Sequence, residues 1–546
     1  MTRAMPADDS NQPPPYEGRN LYLADRALRE AVQRGGAAWS HDRLEEWGAA
    51  LGSAELSALA ARANRFTPEL RTHDRFGNRI DEVGFDPAWH EILMLAMIEG
   101  EHASPWTEAR AGAQVARAAA YLMHAQVENG TQCPLTMTFA AVPLLRRHAG
   151  ALPWLADEWL PRILSRDYDP RVLPVAQKAS ALIGMGMTER QGGSDVRANT
   201  TRADPAGGSE YRLTGHKWFF SAPMCDAHLV LAHAPRGLSC FFLPRVLPDG
   251  ARNAVRLQRL KDKLGNRSNA SCEVEFAGAT GWLLGDEGRG VQVIIEMVQH
   301  TRLDCAIGSA GIVKSAAAQA LHHARHRHAF GRPLAEQPLM QNVLADLAIE
   351  AEAAVVSALW LASTFEPGDS EADAALSRLA TPALKYWLCK RAPAVTGEAI
   401  EVLGGNGYVE ESALPRLYRE APLNSIWEGS GNIMCLDVLR AARREPAAVA
   451  ALLAELALAR GGNARLDRQI ARLDATLTAG TLDEAGARRL ASDIALAIGA
   501  ALLVRNAPPA VADAFCASRL GESYAGALGT LPAGIDCAAV LDQIGG

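Results

Sequence analysis

Five short stretches of this 546-residue chain gather side chains able to do chemistry. The first, Met187-Thr188-Glu189-Arg190-Gln191-Gly192-Gly193-Ser194-Asp195, combines hydroxyls, backbone N–H groups and glycines, a set that can hydrogen-bond a polar heterocycle at close range. The second, Gly215-His216-Lys217-Trp218-Phe219-Phe220-Ser221, offers an aromatic wall ending in a hydroxyl. The third, Arg327-His328-Ala329-Phe330-Gly331, closes a long helical pattern with an arginine suited to a pyrophosphate beside an aromatic ring. The fourth and fifth are Leu403-Gly404-Gly405-Asn406-Gly407-Tyr408 and Ile426-Trp427-Glu428-Gly429-Ser430-Gly431-Asn432-Ile433.

Other tempting signals do not hold up. Gly184-Met185-Gly186 runs into Met187-Thr188-Glu189, so the third glycine of a dinucleotide fingerprint is missing, and no ribose-binding acid follows in a strand–loop–helix unit. His322 and His326 stand one helical turn apart, which is zinc-ligand spacing. No glutamate follows the first histidine, and Arg325 and Arg327 flank the second, so the pair reads as a solvated basic helix end and no metal is expected. Asn266-Arg267-Ser268 is a glycosylation sequon in form only, since the chain reads as cytoplasmic.

In order and spacing, the five stretches resemble the acyl-CoA dehydrogenase family. Further segments resemble its AidB-type branch, flavoproteins of the bacterial response to DNA alkylation: Asn20-Leu21-Tyr22-Leu23, His124-Ala125-Gln126-Val127-Glu128, Arg259 to Ala270, and Asn424 to Arg440. The resemblance is strong over about residues 10–440 and weak beyond. It implies bound FAD and a homotetramer in which each flavin's adenine–pyrophosphate arm is reached by a neighbouring subunit. It also implies a fold that is mainly α with a central antiparallel β-barrel domain, extended by C-terminal helices.

Carried over residue by residue, the resemblance assigns Met185, Gly186, Met187, Thr188, Gly193 and Ser194 to the flavin and its phosphates. Phe219, Phe220 and Ser221 match the strand beside the isoalloxazine ring, where the family often has tryptophan for Phe219 and threonine for Ser221. Arg327, Phe330 and Gln341 match subunit-bridging contacts to the adenine half, Gly405 matches a cofactor contact, and Glu401 stands where glutamine is usual. Ile426, Trp427, Gly429, Ser430 and Asn432 complete the cofactor set, with Ser430 and Asn432 replacing the commoner threonine and glutamine. Glu428 is the expected catalytic base. Dehydrogenation of a thioester needs a carboxylate to take the α-proton, and an apolar neighbour such as Trp427 shifts a carboxyl toward working pH. Some members carry the base on the preceding long helix, before an arginine; here Thr301 precedes Arg302, so Glu428 has no competitor.

The elements that must position these residues are legible from periodicity. Apolar residues recur at helical spacing from Leu21 to about Ala149, predicting an all-helical lobe. Short β-branched and aromatic runs between about Leu182 and Leu284, separated by Gly207-Gly208 and Pro248-Asp249-Gly250, predict an antiparallel β domain. Long helical patterns return from 290 to about 440, and an Ala/Leu/Arg-rich helical tail follows. The expected boundaries are 1–180, 181–288, 289–440 and 441–546.

Composition narrows the class. With 48% hydrophobic and 21% charged residues the chain is globular rather than disordered or fibrous. A net charge of −7 gives no global pull toward nucleic acid or anionic membranes. Nine cysteines without a C-x-x-C pair indicate neither a disulfide framework nor a zinc knuckle and fit a reducing cytoplasm. The polar, proline-rich start and the absence of a long apolar run predict neither leader nor membrane span.

The AidB-type branch associates its C-terminal region with double-stranded DNA, and charge partly agrees. Between Arg440 and Arg472 stand seven arginines against three acids, and Arg465, Arg468 and Arg472 share one helical face able to track phosphates. Residues 441–546 as a whole hold ten arginines and eleven acids, however, so a solvated helix face competes with DNA contact. The functional expectations are therefore dehydrogenation of a short or branched acyl-CoA, DNA binding that protects against alkylation with a structural flavin, or detoxification of alkylating agents at the flavin.

Overall fold

Along Glu210–Ser221 (β5) the apolar side chains alternate, so Tyr211 and Leu213 face inward and Arg212 and Thr214 outward. Around this strand the computed structural model arranges β3 (Ile183–Gly186), β4 (Arg202–Gly207), β6 (Ala227–Ala234), β7 (Gly237–Pro244), β8 (Val255–Leu260) and β9 (Ser271–Leu284) into one seven-stranded sheet. The structure describes residues 11–366, 368, 371–479, 482–521 and 526–543; Met1–Ser10 of the polar start and Pro367 of the Glu366-Pro367-Gly368 break lie outside them.

Two expectations are corrected. The sheet is mixed rather than antiparallel, because β6 pairs in parallel with β3 and with β4 through Arg202 and His233. Such pairings need long connections, which a reading of adjacent hairpins does not anticipate. The N-terminal region is also not all helical: Glu69–His73 (β1) and Arg79–Gly84 (β2) form an antiparallel hairpin. Asp74 builds its turn by accepting from the Phe76 and Asn78 amides, and Gly77 takes the left-handed conformation at φ 83°. Leu70 and Val83 pack on the sheet core, so tertiary burial overrides the helical pattern around them.

The chain divides into two units. One comprises Ala58–Arg110 and Glu128–Asp304 and is built on the sheet, whose core includes Leu213, Phe220, Val230, Phe241, Leu243, Val274 and Phe276. The other comprises Met1–Ser57, Ala111–Val127 and Cys305–Gly546, and its described residues are mainly helical. The helices that matter below are α1 (Gly290–His326), α2 (Pro338–Ser363), α3 (Glu371–Leu403), α4 (Gly431–Arg444), α5 (Ala464–Thr478) and α6 (Ala487–Asn506). Arg519 fastens the C-terminal region to α2 through buried ion pairs with Asp346 and Glu350, and Arg391 of α3 reaches the same Glu350 at 3.2 Å. Among the described residues no helix is long and apolar enough to cross a membrane, and no cluster of three metal-ligating side chains occurs.

Candidate active site

In the sheet unit, β5 carries a β-bulge. Lys217 pairs with Val274 and Phe220 with Cys272, so Trp218 and Phe219 together oppose Glu273 alone. The bulge sends Lys217 and Phe220 inward and leaves Phe219 about half exposed, at 49%. The side chain of Phe220 belongs to the core, stacked on His228 at 4.1 Å, so only its backbone is available to a ligand. Gly186 is shaped by the same ring, since a Cβ there would lie 2.4 Å from Phe220. Lys261 covers Trp218 and Phe219, its ammonium 3.5 and 4.7 Å from their ring centroids.

The hydroxyl- and glycine-rich segment is anchored by a residue to which the sequence reading assigned no role. Glu189 is buried and accepts from the Thr200 and Thr201 amides, from both threonine hydroxyls, and from Lys217 at 2.8 Å. Burial opposes its charge, but Lys217 and these donors outweigh it and pull its pKa down to about 2. Trp218 N donates to Thr188 O at 2.8 Å, tying the segment to the bulge. Thr188 is thereby fixed at half exposure, while Gly193 and Ser194 stay exposed and Met185 is buried.

In the helical unit, Glu428 lies half-buried in the loop before α4 with φ 57°, the left-handed region that a residue with a Cβ rarely adopts, followed by Gly429 at φ 98°. The buried Lys385 of α3 holds this turn: Nζ donates to Trp427 O at 2.8 Å and to Gly429 O at 2.6 Å. Trp427 is fixed in turn, its Nε1 donating to Asn424 Oδ1 at 2.9 Å, while Asn424 Nδ2 donates to Ser309 Oγ of α1 at 3.1 Å. Ile426 remains 62% exposed.

Phe330 also adopts a positive φ, 53°, and is 96% exposed. Arg327 beside it donates to Asn11 O, and Asn11 Nδ2 donates to His328 O at 2.8 Å, so the N-terminal segment lies against this stretch. Asn406, next to the exposed Gly405, donates to Gln12 Oε1 at 2.8 Å. Gln341 is half-buried near the start of α2. His322 is no free ligand: Nδ1 accepts from Arg19 at 2.9 Å and Nε2 donates to Pro14 O at 2.8 Å.

The four arginines expected at DNA are all exposed and differ in their acidic neighbours. Arg465 and Arg468 are exposed on α5. Arg440 pairs with Asp437 at 3.5 Å, and Arg472 pairs with Asp493 of α6 at 3.3 Å.

The residues fit a flavin nucleotide, unit by unit. The sheet unit supplies a half-exposed aromatic ring, hydroxyls and glycine amides. The helical unit supplies large uncovered apolar side chains, Phe330 and Ile426, beside an arginine and a helix start, a combination suited to a heterocycle with an anionic arm. Lys385, Asn424, Ser309 and Glu189 are the positioning residues to which the sequence reading assigned no role. Lys385 had a signal, being one of only seven lysines and set in the apolar helical run Ala383-Leu384-Lys385-Tyr386-Trp387.

Three family models match the chain: the adaptive response protein AidB N-terminal domain over residues 11–170, the acyl-CoA dehydrogenase middle domain over 184–279, and the acyl-CoA dehydrogenase C-terminal domain over 288–443. The chain is 51% identical over 508 residues to the AidB protein of Escherichia coli (strain K12), covering 93% of each. It is 31% identical over 441 residues to acyl-CoA dehydrogenase family member 11 of Caenorhabditis elegans, covering 77% of this chain and 69% of that one. Among solved structures, Caenorhabditis elegans ACDH-11 in complex with C11-CoA superimposes with a TM-score of 0.84 at 26% identity, over 95% of this chain and 93% of that one.

Proposed function

Because the chain belongs to the acyl-CoA dehydrogenase family, whose members are FAD-dependent oxidoreductases, we propose that it binds FAD and dehydrogenates a short or branched acyl-CoA with Glu428 as base. The observation that carries this reading is the conformation of Glu428, held left-handed by two hydrogen bonds from a buried lysine. Strain of this kind persists only where surrounding structure enforces it, and it concentrates where a side chain must be aimed.

When bound, FAD supplies the acceptor for the hydride that leaves the β-carbon. Glu428 takes the α-proton, and its carboxyl then holds that proton. Thr188, Ser194 and Ser221 supply hydroxyls to the cofactor, Phe219 an apolar face, and Arg327 a charge-assisted bond to the pyrophosphate, with Phe330 and Gln341 at the adenine half and Gly405 as a further cofactor contact. In this reading the protein is a cytoplasmic homotetramer. Its four segments, 1–180, 181–288, 289–440 and 441–546, are functional domains, a division supported by the limits of the matching family models.

Anaerobic mixing with a panel of straight and branched acyl-CoAs tests this. The yellow protein bleaches with its substrate, and Glu428→Gln retains FAD while bleaching at least ~100-fold more slowly. Bleaching of that variant at the parental rate removes Glu428 from the mechanism. A parent that no acyl-CoA reduces favours the second reading, contact with double-stranded DNA, which rests on the exposed charges of Arg465 and Arg468.

A further inference from the structure

Helix α4 opens on Gly431 with Ser430 as its N-cap, and the Ser430 side chain makes no capping bond. The first intrahelical bond runs from Met434 N to Ser430 O at 3.0 Å, so the amides of Gly431, Asn432 and Ile433 have no partner within the helix. Beside this start lies a residue of the C-terminal helices. Arg488, on the first turn of α6, donates its Nε to Asn432 Oδ1 at 2.9 Å. A guanidinium has donors only, so this bond decides the orientation of the amide: the oxygen turns to Arg488 and Nδ2 is left facing away as a donor. Lys390 of α3 comes close on another side, its Cε 3.2 Å from where a Cβ on residue 431 would stand. Two cations thus flank a helix start whose own dipole already favours an anion.

We infer that Arg488 is a positioning residue for the flavin cofactor. It presents Asn432 Nδ2 as a donor to the phosphate arm and, with Lys390, supplies the positive charge that an anionic arm requires. The inference rests on the FAD reading above and extends it, because residue 488 lies outside the segment 288–443 that matches the family's C-terminal domain. The C-terminal helices thereby become part of flavin retention. Gly431 keeps the helix start open to Lys390, and a side chain there would press on it.

The test is equilibrium dialysis of the purified holoenzyme against graded FAD, with flavin content read by absorbance, for the parent, Arg488→Met, Asn432→Ala and the double variant. Each single change is expected to raise the FAD dissociation constant about tenfold, the factor that a lost charge-assisted hydrogen bond carries. The double variant is expected to fall well short of the ~100-fold that two independent effects would multiply to, because Arg488 acts in part through Asn432. Far-UV circular dichroism stays parental. Parental FAD affinity in Arg488→Met, or effects that multiply to about 100-fold in the double variant, overturn the inference while leaving the FAD reading intact. A parent that holds no FAD overturns both. In a parallel arm with a non-reducible acyl-CoA thioether, loss of thioether binding by Arg488→Met without loss of FAD assigns the charge to the substrate and overturns the inference as stated.

Discussion

Lys385 brackets Glu428: its ammonium donates to the carbonyl oxygen of Trp427 at 2.8 Å and to that of Gly429 at 2.6 Å, the residues on either side. Both carbonyls turn toward the interior of the helical unit, and the backbone between them takes φ 57°. The lysine is fully buried, so each bond acts with little competition from water.

Replacing Lys385 by Met leaves two carbonyls without their donor, at a cost of ~1–3 kcal/mol each. The urea midpoint is expected to fall. Flavin reduction by acyl-CoA should slow by about 10- to 100-fold with FAD content unchanged, because Glu428 is no longer held in one geometry. Stopped-flow reduction at the parental rate would show that the turn holds itself.

The Glu189–Lys217 pair makes a prediction about assembly of the sheet unit. Both side chains are fully buried, and Lys217 also donates to Leu231 O at 2.7 Å. Glu189→Gln leaves a buried ammonium without its counter-charge and is expected to cost ~3–5 kcal/mol in urea denaturation. Adding Lys217→Met should recover most of that loss. A double variant as weak as the single would show that the threonine contacts of Glu189, rather than the ion pair, hold the loop.

Stability should fall as pH drops below neutrality. Burial pushes the His228 pKa down to about 3 and that of His323 to about 4, from an ordinary 6.5. Between 6.5 and these values the unfolded chain binds protons that the folded chain does not, so acidification favours unfolding. Glu189, at about 2 when folded against 4.5, adds a loss of the same sign below pH 4.5. Thermal midpoints are expected to fall by ~5 °C or more from pH 7 to pH 4.5. His228→Gln should flatten this slope, and a profile identical to the parent's would exclude His228 as a contributor.

For DNA, all three arginines of the face are exposed, and Arg472 is engaged by Asp493 at 3.3 Å, so the test falls on Arg465 and Arg468. If that face tracks phosphates, Gln at both positions should lower the log–log salt slope of duplex binding by about 2, at ~0.9 per contact, with flavin content unchanged. Gel-shift titrations across salt concentrations check this. An unchanged slope removes the face from any DNA role.

Much of this protein was legible in its residues taken in order. The five chemistry-bearing stretches carry the family resemblance, and the change from helical to strand period near Leu182 and the return to helix near 290 follow from spacing and composition, because period and turn chemistry are local properties. The hairpin at 69–84 was missed although its Asp74-to-Asn78 turn is local, because neighbouring helical periodicity masked two short strands.

What only the tertiary structure decided concerns partners far apart in the chain. Lys385 meets the Glu428 turn across more than forty residues, Arg488 meets Asn432 across 56, and β6 finds β3 in parallel rather than as a hairpin. The bulge that turns Phe219 outward arises from register against β9, and Arg472 is paired with an aspartate on the next helix. Residue type states which bonds a side chain can make. Which partner it meets is set by packing, because a buried donor or acceptor must find whatever complementary group the fold brings within about 3 Å.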